Sequence, residues 1–235
     1  LLILADNAST DGTEAICRRV AAEDPRFIYV RQPENIGAAN NFNWLLENTN
    51  SRYFMWLGAH DLIAPTFLEA HLAVLNSDDA VALSYANARC IDRDSNLINI
   101  KDCGKYHRLE GSPGQRYIQT FKRMGPCEPI NNLFRRSAIA GSKFKPIPGC
   151  DRLVICHAAY RGLFNKIEDP LYVRRITDTV KSQSETRIVR ITGSTKTAAS
   201  KLQTALEFRR EFKSLGASLP ERLAFETALW TKYLR

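Results

Sequence analysis

Two short polar loops carry many of the side chains in the first third of the chain that could bind a ligand or a metal. The first loop, at residues 6–12, contains Asp6, Asn7, Ser9 and Asp11. The second loop contains the pair His60-Asp61. Each loop follows an apolar run of strand length, at residues 1–5 and 53–57. Ligands of parallel sheets bind outside the carboxyl ends of the strands, so both loops are candidates for a ligand site.

The elements that must position these loops alternate between strand and helix. Strands are predicted at residues 1–5, 27–30, 53–57 and 80–86, and helices at 13–23, 35–47 and 65–75. Strands separated by helices of ten to fifteen residues are typical of βαβ units and of a mostly parallel sheet flanked by helices. The predicted fold class is therefore α/β.

The later part of the chain is less regular. The sequence predicts a hairpin at 91–100, a strand at 171–176, and helices at 112–124, 151–161, 198–215 and 220–234. A boundary near residue 190 separates a main domain, 1–190, from a basic helical extension, 191–235. Residues 181–235 hold 11 of the 33 Lys and Arg residues but only 5 of the 25 Asp and Glu residues. This excess is typical of a surface that meets anions, or of solvated helix faces.

Composition narrows the class of protein and its compartment. No apolar run in the 235 residues approaches the roughly 18 needed to span a bilayer. The six cysteines form no CxxC pair, which is typical of ordinary thiols in a reducing, cytoplasmic compartment. The chain opens directly in the apolar run at residues 1–5, from which we expect that a first strand of the sheet precedes Leu1.

Three segments together resemble a known family. Residues 6–13, Asp-Asn-Ala-Ser-Thr-Asp-Gly-Thr, resemble the strand-end signature of the family-2 glycosyltransferases, which have the GT-A (Rossmann-like) fold. Residues 35–41 are similar to the family's Asn-x-Gly segment, and residues 53–69 resemble the segment that carries its metal-binding acidic motif. The segments follow the family's order and rough spacing within residues 1–180.

The resemblance implies an activity and a set of donor-binding residues. A member would transfer a sugar, with inversion, from a nucleotide-sugar, expected to be a UDP-sugar, to a saccharide or lipid-linked saccharide during surface polysaccharide (O-antigen or capsule) synthesis. Asp6 would bind the base or ribose, Asp11 would orient the loop or contact the donor, and Gly37 would let the backbone approach the nucleotide. The donor-binding residues implied are Asp6, Asn7, Ser9, Asp11, Asn35, Gly37, Asn41, Arg174 and Arg175. For Asp6 and Asp11 the alternative is an Asx-turn and a helix N-cap.

His60 departs from the family pattern at the metal motif. Counted back from Pro65, His60 stands where the main metal-binding Asp of the family usually lies. Imidazole suits manganese-like cations and is a poor ligand for magnesium. Three alternatives stay open: His60 binds a divalent metal (Mn²⁺ or Mg²⁺), Asp61 replaces it, or the site works without metal. A capping or core role for His60 is a further alternative.

Two more assignments follow from the resemblance. Asp151, in a segment that opens a helix after the donor half, is the candidate general base, with a helix N-cap as its alternative. Arg174 and Arg175 lie where the family often has a histidine, and guanidinium groups suit phosphate oxygens.

Two other functions compete with transfer. A degenerate relative would bind a nucleotide-sugar or a partner without transferring the sugar, whereas nucleic-acid binding is disfavoured because no recognised motif accompanies the basic residues. The helix at 198–215 has Leu202, Leu206, Phe212 and Leu215 on one broad side, beside basic residues. That side would suit peripheral docking on an anionic inner membrane face, or packing against the main domain or a second subunit.

Overall fold

The chain begins with a parallel βαβ unit. The computed structural model describes residues 1–98, 109–123, 129–176 and 197–233. Strands β1 (Leu2–Asp6) and β2 (Phe27–Arg31) pair in parallel, in a register that runs from Leu2 opposite Phe27 to Asp6 opposite Arg31. Helix α1 (Thr13–Glu23) connects them. Both strands therefore end at the same edge, as the sequence predicts, and the loops after them are neighbours.

A second sheet of six strands forms the centre of the molecule. Its spatial order is β3 (Tyr53–Phe54), β7 (Leu133–Arg135), β5 (Val81–Ile91), β8 (Leu163–Arg175) and β4 (Leu62–Ile63), and β6 (Leu97–Ile98) pairs with β5. Of these pairs only β5 with β8 is parallel. The α/β class is confirmed, but the described sheets are mixed where the sequence predicted mostly parallel pairing. The difference arises because the short strands β4, β6 and β7 run opposite to β3, β5 and β8 in this sheet.

The helices lie close to where the sequence places them. They are α2 (Ala38–Glu47), α3 (Phe67–Ser77), α4 (Pro113–Arg123), α5 (Arg136–Ile139), α6 (Cys150–Arg161), α7 (Thr197–Ser214) and α8 (Leu219–Tyr233), with a 3-10 turn at Pro129–Asn131. The prediction missed β4, β7, the 3-10 turn, α5 and the first half of β8. The predicted boundary near residue 190 and part of the 91–100 hairpin lie outside the described residues.

Helix α6 is the buried centre of the main hydrophobic core. It contacts β5, α4 and α7, and its residues from Cys150 to Ala159 are buried except Arg152. Aromatic side chains from three other segments meet in the same core, where the Trp56 ring lies 4.6 Å from Phe54, 5.9 Å from Phe134 and 5.0 Å from Phe144. The core therefore fixes the start of α6 relative to the central sheet.

The C-terminal helices α7 and α8 pack against α6 and α4. Phe212 of α7 is 1% exposed, and its ring lies 4.5 Å from that of Tyr117 in α4. The His157 Nδ1 atom of α6 lies 2.5 Å from Oε1 of Glu211. The apolar side of α7 is thus partly buried by the domain, while Leu202 is 54% exposed. No helix among the described residues combines the length and apolar character needed to cross a bilayer.

Candidate functional site

Asp6 is the most strongly bonded residue of the first loop. Its side chain is 1% exposed. The Oδ1 atom accepts a hydrogen bond from the Ser9 backbone N–H at 2.8 Å, and Oδ2 accepts from the Tyr29 hydroxyl at 2.8 Å and from Arg31 Nη1 at 2.5 Å. Burial raises the pKa of Asp6, but these hydrogen bonds outweigh it and hold that pKa well below its usual range. Asp6 is therefore ionised and holds the loop after β1 in place.

Asn7 joins the loop after β1 to the loop after β2. Its Nδ2 atom donates to Asn35 Oδ1 at 2.8 Å, and its Oδ1 atom accepts from the Ile36 backbone N–H at 2.9 Å. Asn35 Oδ1 also accepts from the Gly37 N–H at 3.0 Å. Gly37 has a φ of +81°, in the left-handed region that favours glycine, and α2 follows it. Asn7, Asn35 and Gly37, which were all predicted to bind the nucleotide-sugar, thus form one hydrogen-bonded group.

The side chains of Asp11 and Asn41 form hydrogen bonds with other residues of the chain. Asp11 Oδ1 accepts from the Thr13 backbone N–H at 3.0 Å and from its hydroxyl at 2.5 Å. These bonds lower the pKa of Asp11 and match the Asx-turn alternative. Asn41, which is 8% exposed, donates from Nδ2 to the Ala5 carbonyl at 3.0 Å and accepts from Gln32 Nε2 at 3.2 Å. Asn41 therefore attaches α2 to the ends of β1 and β2.

His60 and Asp61 are adjacent but have different surroundings. The His60 side chain is 58% exposed, whereas that of Asp61 is 4% exposed, and His60 Nε2 lies 3.7 Å from Asp61 Oδ1. Asp61 Oδ2 accepts from the Tyr172 hydroxyl, and Oδ1 accepts from the Arg175 backbone N–H at 2.9 Å. His60 is therefore neither a core nor a capping residue, and it stands at the surface beside a buried carboxylate.

The residues present fit a divalent cation only as a partial ligand set. One imidazole nitrogen and one carboxylate oxygen lie within reach of a shared ion, and this mixed set suits manganese-like cations. No group of three or more His, Cys, Asp or Glu side chains that could hold a metal occurs within the described ranges. A cation bound at His60 and Asp61 would need further ligands from water or from a phosphate-bearing molecule.

Arg174 and Arg175 are adjacent in β8 and have different neighbours. The Arg175 guanidinium donates from Nε to the His60 carbonyl at 3.2 Å, and from Nη1 to the Asp92 carbonyl at 3.1 Å and to Ser95 Oγ at 2.9 Å. Arg175 thereby ties β8 to the His60 loop and to the turn after β5. Arg174 is half-buried and lies close enough to Tyr172 that its charge acts to lower the tyrosine pKa.

Asp151 lies in the first turn of α6. The N-cap position belongs to Gly149, whose φ is +71°, so the N-cap alternative for Asp151 is wrong. Asp151 is 7% exposed, and its Oδ1 atom accepts from the Arg152 backbone N–H at 3.1 Å. A carboxylate in the first turn of a helix is stabilised by the helix dipole.

Helix α2 connects the three regions that carry the predicted residues. Asn41 bonds to the end of β1, and the Phe42 carbonyl accepts from Trp56 Nε1 at 3.1 Å, in the segment that leads to His60. Asn43 exchanges two hydrogen bonds with the Phe144 backbone, of 2.9 Å and 2.8 Å, in the segment that leads to α6. The loop after β1, the His60 segment and the approach to Asp151 are therefore all attached to one helix.

Several residues of the site were not predicted from the sequence. Tyr29 and Arg31 bond Asp6, and Tyr172 bonds Asp61 and accepts from Asn131 Nδ2 at 2.7 Å. The parallel pairing of β1 with β2 is a signal that could have placed Arg31 beside Asp6. Burial, together with the hydrogen bond to Asp61, raises the pKa of Tyr172 well above its usual range, so this hydroxyl keeps its proton.

The α/β architecture is that of the GT-A glycosyltransferases. Residues 2–141, more than half of the chain, match the family described as Glycosyl transferase family 2. The chain belongs to this family, and the resemblance on which the sequence prediction rests is confirmed.

Solved structures share the fold at low sequence identity. The structure of S. aureus TarS 1-349 in complex with UDP-GlcNAc matches with a TM-score of 0.68 and 12% identity, over 97% of this chain and 63% of that one. The mannosyltransferase PcManGT from Pyrobaculum calidifontis, in complex with GDP-Man and Mn²⁺, matches with a TM-score of 0.53 and 16% identity, over 97% and 70%.

A curated relative shares a short segment of sequence. The succinoglycan biosynthesis protein ExoA of Rhizobium meliloti (strain 1021) is 35% identical over 69 residues, which are 29% of this chain and 21% of ExoA. The match therefore spans about a fifth of the length of that relative.

Proposed function

We propose that this chain transfers a sugar from a nucleoside-diphosphate-sugar to an acceptor hydroxyl, with inversion at the anomeric carbon. A saccharide or lipid-linked saccharide would be the acceptor, and the product would be a surface polysaccharide such as O-antigen or capsule. Membership of family 2 supports the reaction class. The name of ExoA supports polysaccharide synthesis, and the complexes of TarS with UDP-GlcNAc and of PcManGT with GDP-Man support a nucleotide-sugar donor.

The observation that carries the proposal is the attachment of three separate regions to α2. Asn41 holds the end of β1, Phe42 holds the His60 segment, and Asn43 holds the approach to α6. A transferase must hold a nucleotide, a diphosphate and an acceptor in one fixed geometry, because orientation supplies much of the rate. One rigid helix that contacts all three regions meets this requirement.

The loops after β1 and β2 are the nucleoside site in this proposal. Asp6, ionised and fixed by Arg31, would hold the loop that binds the base or ribose, since its own side chain is 1% exposed. The group formed by Asn7, Asn35 and Gly37 would present backbone to the nucleotide, since Gly37 has no side chain to block it. Ser9 and Asp11 would lie at the edge of this nucleoside site. Asn41 would support the site indirectly, by holding the ends of β1 and β2. We propose a UDP-sugar as the donor.

His60, Asp61 and Arg174 are the proposed diphosphate site. The leaving nucleoside diphosphate gains negative charge, so a nearby cation lowers the barrier. His60 and Asp61 would hold a divalent metal, Mn²⁺ in preference to Mg²⁺, which would neutralise this charge when bound. Arg174 would add a guanidinium to the phosphate oxygens. Arg175, whose described bonds are to other loops, would position His60 and Asp61.

Asp151 is the proposed general base. The acceptor hydroxyl would give its proton to the Asp151 carboxylate as its oxygen bonds to the anomeric carbon. The bond from that carbon to the diphosphate oxygen would break at the same time, and the nucleoside diphosphate would leave with the electron pair. Asp151 comes from a different segment than His60 and Asp61, as attack opposite the leaving group requires. Its burial at the start of α6 would fix its direction.

The location we propose is the cytoplasm, with peripheral contact at the inner membrane face. Leu202, Leu219 and Leu223 are exposed apolar residues on α7 and α8, and the same helices carry exposed Lys201 and Lys213. Apolar and basic groups together suit an anionic lipid surface. Flotation with liposomes that contain anionic lipid should recover the protein at low salt and lose it at high salt, whereas no recovery at low salt would contradict membrane contact.

Slow hydrolysis of the donor tests the proposed reaction without knowledge of the acceptor. The protein is incubated with UDP-GlcNAc, UDP-glucose and GDP-mannose, each with Mn²⁺, with Mg²⁺ and with chelator, and released nucleotide is measured. We expect release from one donor, stimulated most by Mn²⁺ and abolished in Asp61→Asn. Binding of a nucleotide-sugar with no release, even when acceptor saccharides are added, would contradict transfer and support the degenerate alternative.

A further inference from the structure

The side-chain amide of Asn131 is held in one orientation. Asn131 is the half-buried last residue of the 3-10 turn, and its Nδ2 atom donates to the Tyr172 hydroxyl oxygen at 2.7 Å. That hydroxyl gives its one proton to Asp61 Oδ2, so its oxygen can only accept. Turning the amide over would place two acceptors against each other. Asn131 Oδ1 is therefore a fixed acceptor, and within the described residues it has no hydrogen-bond partner.

The turn that carries Asn131 is fastened to the central sheet. Asn132, the next residue, is 3% exposed, and its Oδ1 atom accepts from the Ala86 backbone N–H of β5 at 3.0 Å. The Asn132 backbone N–H donates to the Pro129 carbonyl at 3.2 Å and closes the turn. The turn also packs against α6. Its position is thus set by both β5 and α6.

The start of α6 lies level with this turn. Helix α6 packs on β5 and ends at Arg161, and the chain then enters β8 with Leu163 opposite Val81, at the start of β5. Running back along β5 at about 1.5 Å per residue, α6 places Asp151 about 15 Å from Arg161. Ala86 lies about 16 Å from Val81, at about 3.3 Å per strand residue. The proposed general base and the turn are therefore at the same level along β5.

We infer that Asn131 recognises the transferred sugar: its Oδ1 atom accepts a hydrogen bond from one sugar hydroxyl and makes that hydroxyl a requirement of the donor. The inference rests on the proposed function, because it uses the same donor site. The anomeric carbon must lie between the diphosphate oxygen that leaves and the acceptor hydroxyl that Asp151 would deprotonate. Asn131 is joined to Asp61 of the proposed diphosphate site through Tyr172 alone and is level with Asp151, so it stands beside this position.

A fixed acceptor selects a sugar by the presence of one hydroxyl. A site built to hydrogen-bond a substrate hydroxyl discriminates strongly against an analogue without it, because the acceptor is left unpaired. The Asn131 amide cannot compensate with Nδ2, since that atom is engaged by Tyr172. The accepted sugars would therefore carry a hydroxyl at one particular ring position, and deoxy or O-alkylated versions at that position would be rejected.

Binding of deoxy-sugar donors tests this assignment without measuring catalysis. Isothermal titration with Mn²⁺ present compares UDP-GlcNAc, UDP-glucose and GDP-mannose, and then the 2-, 3-, 4- and 6-deoxy analogues of the donor that the parent binds most tightly. We expect one analogue to bind the parent about tenfold more weakly than the full donor. In Asn131→Ala the full donor should bind about tenfold more weakly, and the penalty for that one analogue should disappear. Affinity for the nucleoside diphosphate alone should stay within about twofold.

Two further variants separate recognition from general damage. Asn76 at the end of α3 accepts from the Tyr53 hydroxyl, so Asn76→Ala breaks the same kind of bond in another part of the chain. This variant should keep the affinities and the analogue penalties of the parent. Tyr172→Phe leaves Asn131 in place but frees its amide to turn and offer Nδ2. The penalty for the same analogue should then shrink at least about threefold, which tests the inference if Asn131→Ala does not fold.

Two results would overturn the inference alone. They are analogue penalties in Asn131→Ala that equal those of the parent, and equal losses of affinity for the donor and for the nucleoside diphosphate without its sugar. A parent that binds no nucleotide-sugar would overturn the proposed function together with the inference. Donor binding without hydrolysis would contradict transfer and leave the comparison of analogues intact, so the two claims fail separately.

Discussion

Asn7 Nδ2 lies 2.8 Å from Asn35 Oδ1 and joins the loop after β1 to the loop after β2. Asn7→Ala removes this bond and the one from the Ile36 N–H. With about 1 kcal/mol for each bond, the two bonds together are worth about 2 kcal/mol, so we expect UDP to bind up to roughly 30-fold more weakly. Isothermal titration of UDP measures the change.

Asn48→Ala is the matched control for that experiment. Asn48 also uses its side-chain amide in a local bond, to the Trp44 carbonyl at 2.9 Å at the end of α2. This variant should bind UDP like the parent. Equal losses in the two variants would contradict a role for Asn7 in the nucleotide loop.

Asp6 should make the stability of the protein depend on pH. Its pKa is lowered in the folded state, so ionised Asp6 stabilises the fold above the usual aspartate pKa of about 3.9. This contribution is lost as the pH falls through the lower pKa of the folded state. Asp6→Asn should therefore cost about 1.5 to 3 kcal/mol of unfolding free energy at pH 7, and less at acidic pH.

Urea unfolding of the parent and of Asp6→Asn at pH 7, 5 and 3 measures this effect. Asp24→Asn is the control, because Asp24 pairs with Arg26 at the surface and should cost less than Asp6. A difference between parent and Asp6→Asn that does not shrink on going from pH 7 to pH 3 would contradict the assignment.

His60 should decide which metal supports turnover. If its imidazole binds the cation, His60→Ala needs at least about tenfold more Mn²⁺ for half-maximal turnover. His60→Asp replaces nitrogen by oxygen and should shift the preference from Mn²⁺ towards Mg²⁺. Donor turnover at varied metal concentration measures both effects. Full activity of His60→Ala in excess chelator would remove His60 from the mechanism.

Phe212 should matter for stability much more than the exposed residues of α7. Its ring lies 4.5 Å from Tyr117 and 4.7 Å from Phe225, and it is 1% exposed. Phe212→Ala should cost about 3 to 5 kcal/mol of unfolding free energy. Leu202→Ala, at a position 54% exposed, should cost about 0.5 kcal/mol or less. Similar unfolding midpoints for the two variants would contradict the packing of α7 on the domain.

The sequence predicted elements best where the signals are local. Helix α1 runs from Thr13 to Glu23 as predicted, because polar residues precede it and Asp24-Pro25 ends it. Only the second half of β8 was predicted, since the segment before it carries Lys166, Glu168, Asp169 and Pro170. The β5–β8 register is shifted opposite residues 168–171, which accounts for this break in the strand pattern.

In the candidate site, too, the residues in local motifs were predicted and the contacts between distant residues were not. The loop at 6–12 and the group of Asn7, Asn35 and Gly37 follow from short motifs and were predicted as donor residues. The bond between Tyr172 and Asp61 joins residues 111 positions apart, and no local pattern signals it. Strand direction also depends on tertiary pairing, so the mixed sheet could not be predicted from the alternation of strands and helices.

The turnover of Asp151→Asn tests the central claim most directly. The change keeps the shape of the side chain and removes the carboxylate that would take the acceptor proton. Because Asp151 lies in the first turn of α6, the change also removes an interaction with the helix dipole worth about 0.3 to 1 kcal/mol of stability. We expect turnover to fall at least about a hundredfold while donor affinity changes less than about twofold. Turnover within about threefold of the parent would contradict the account.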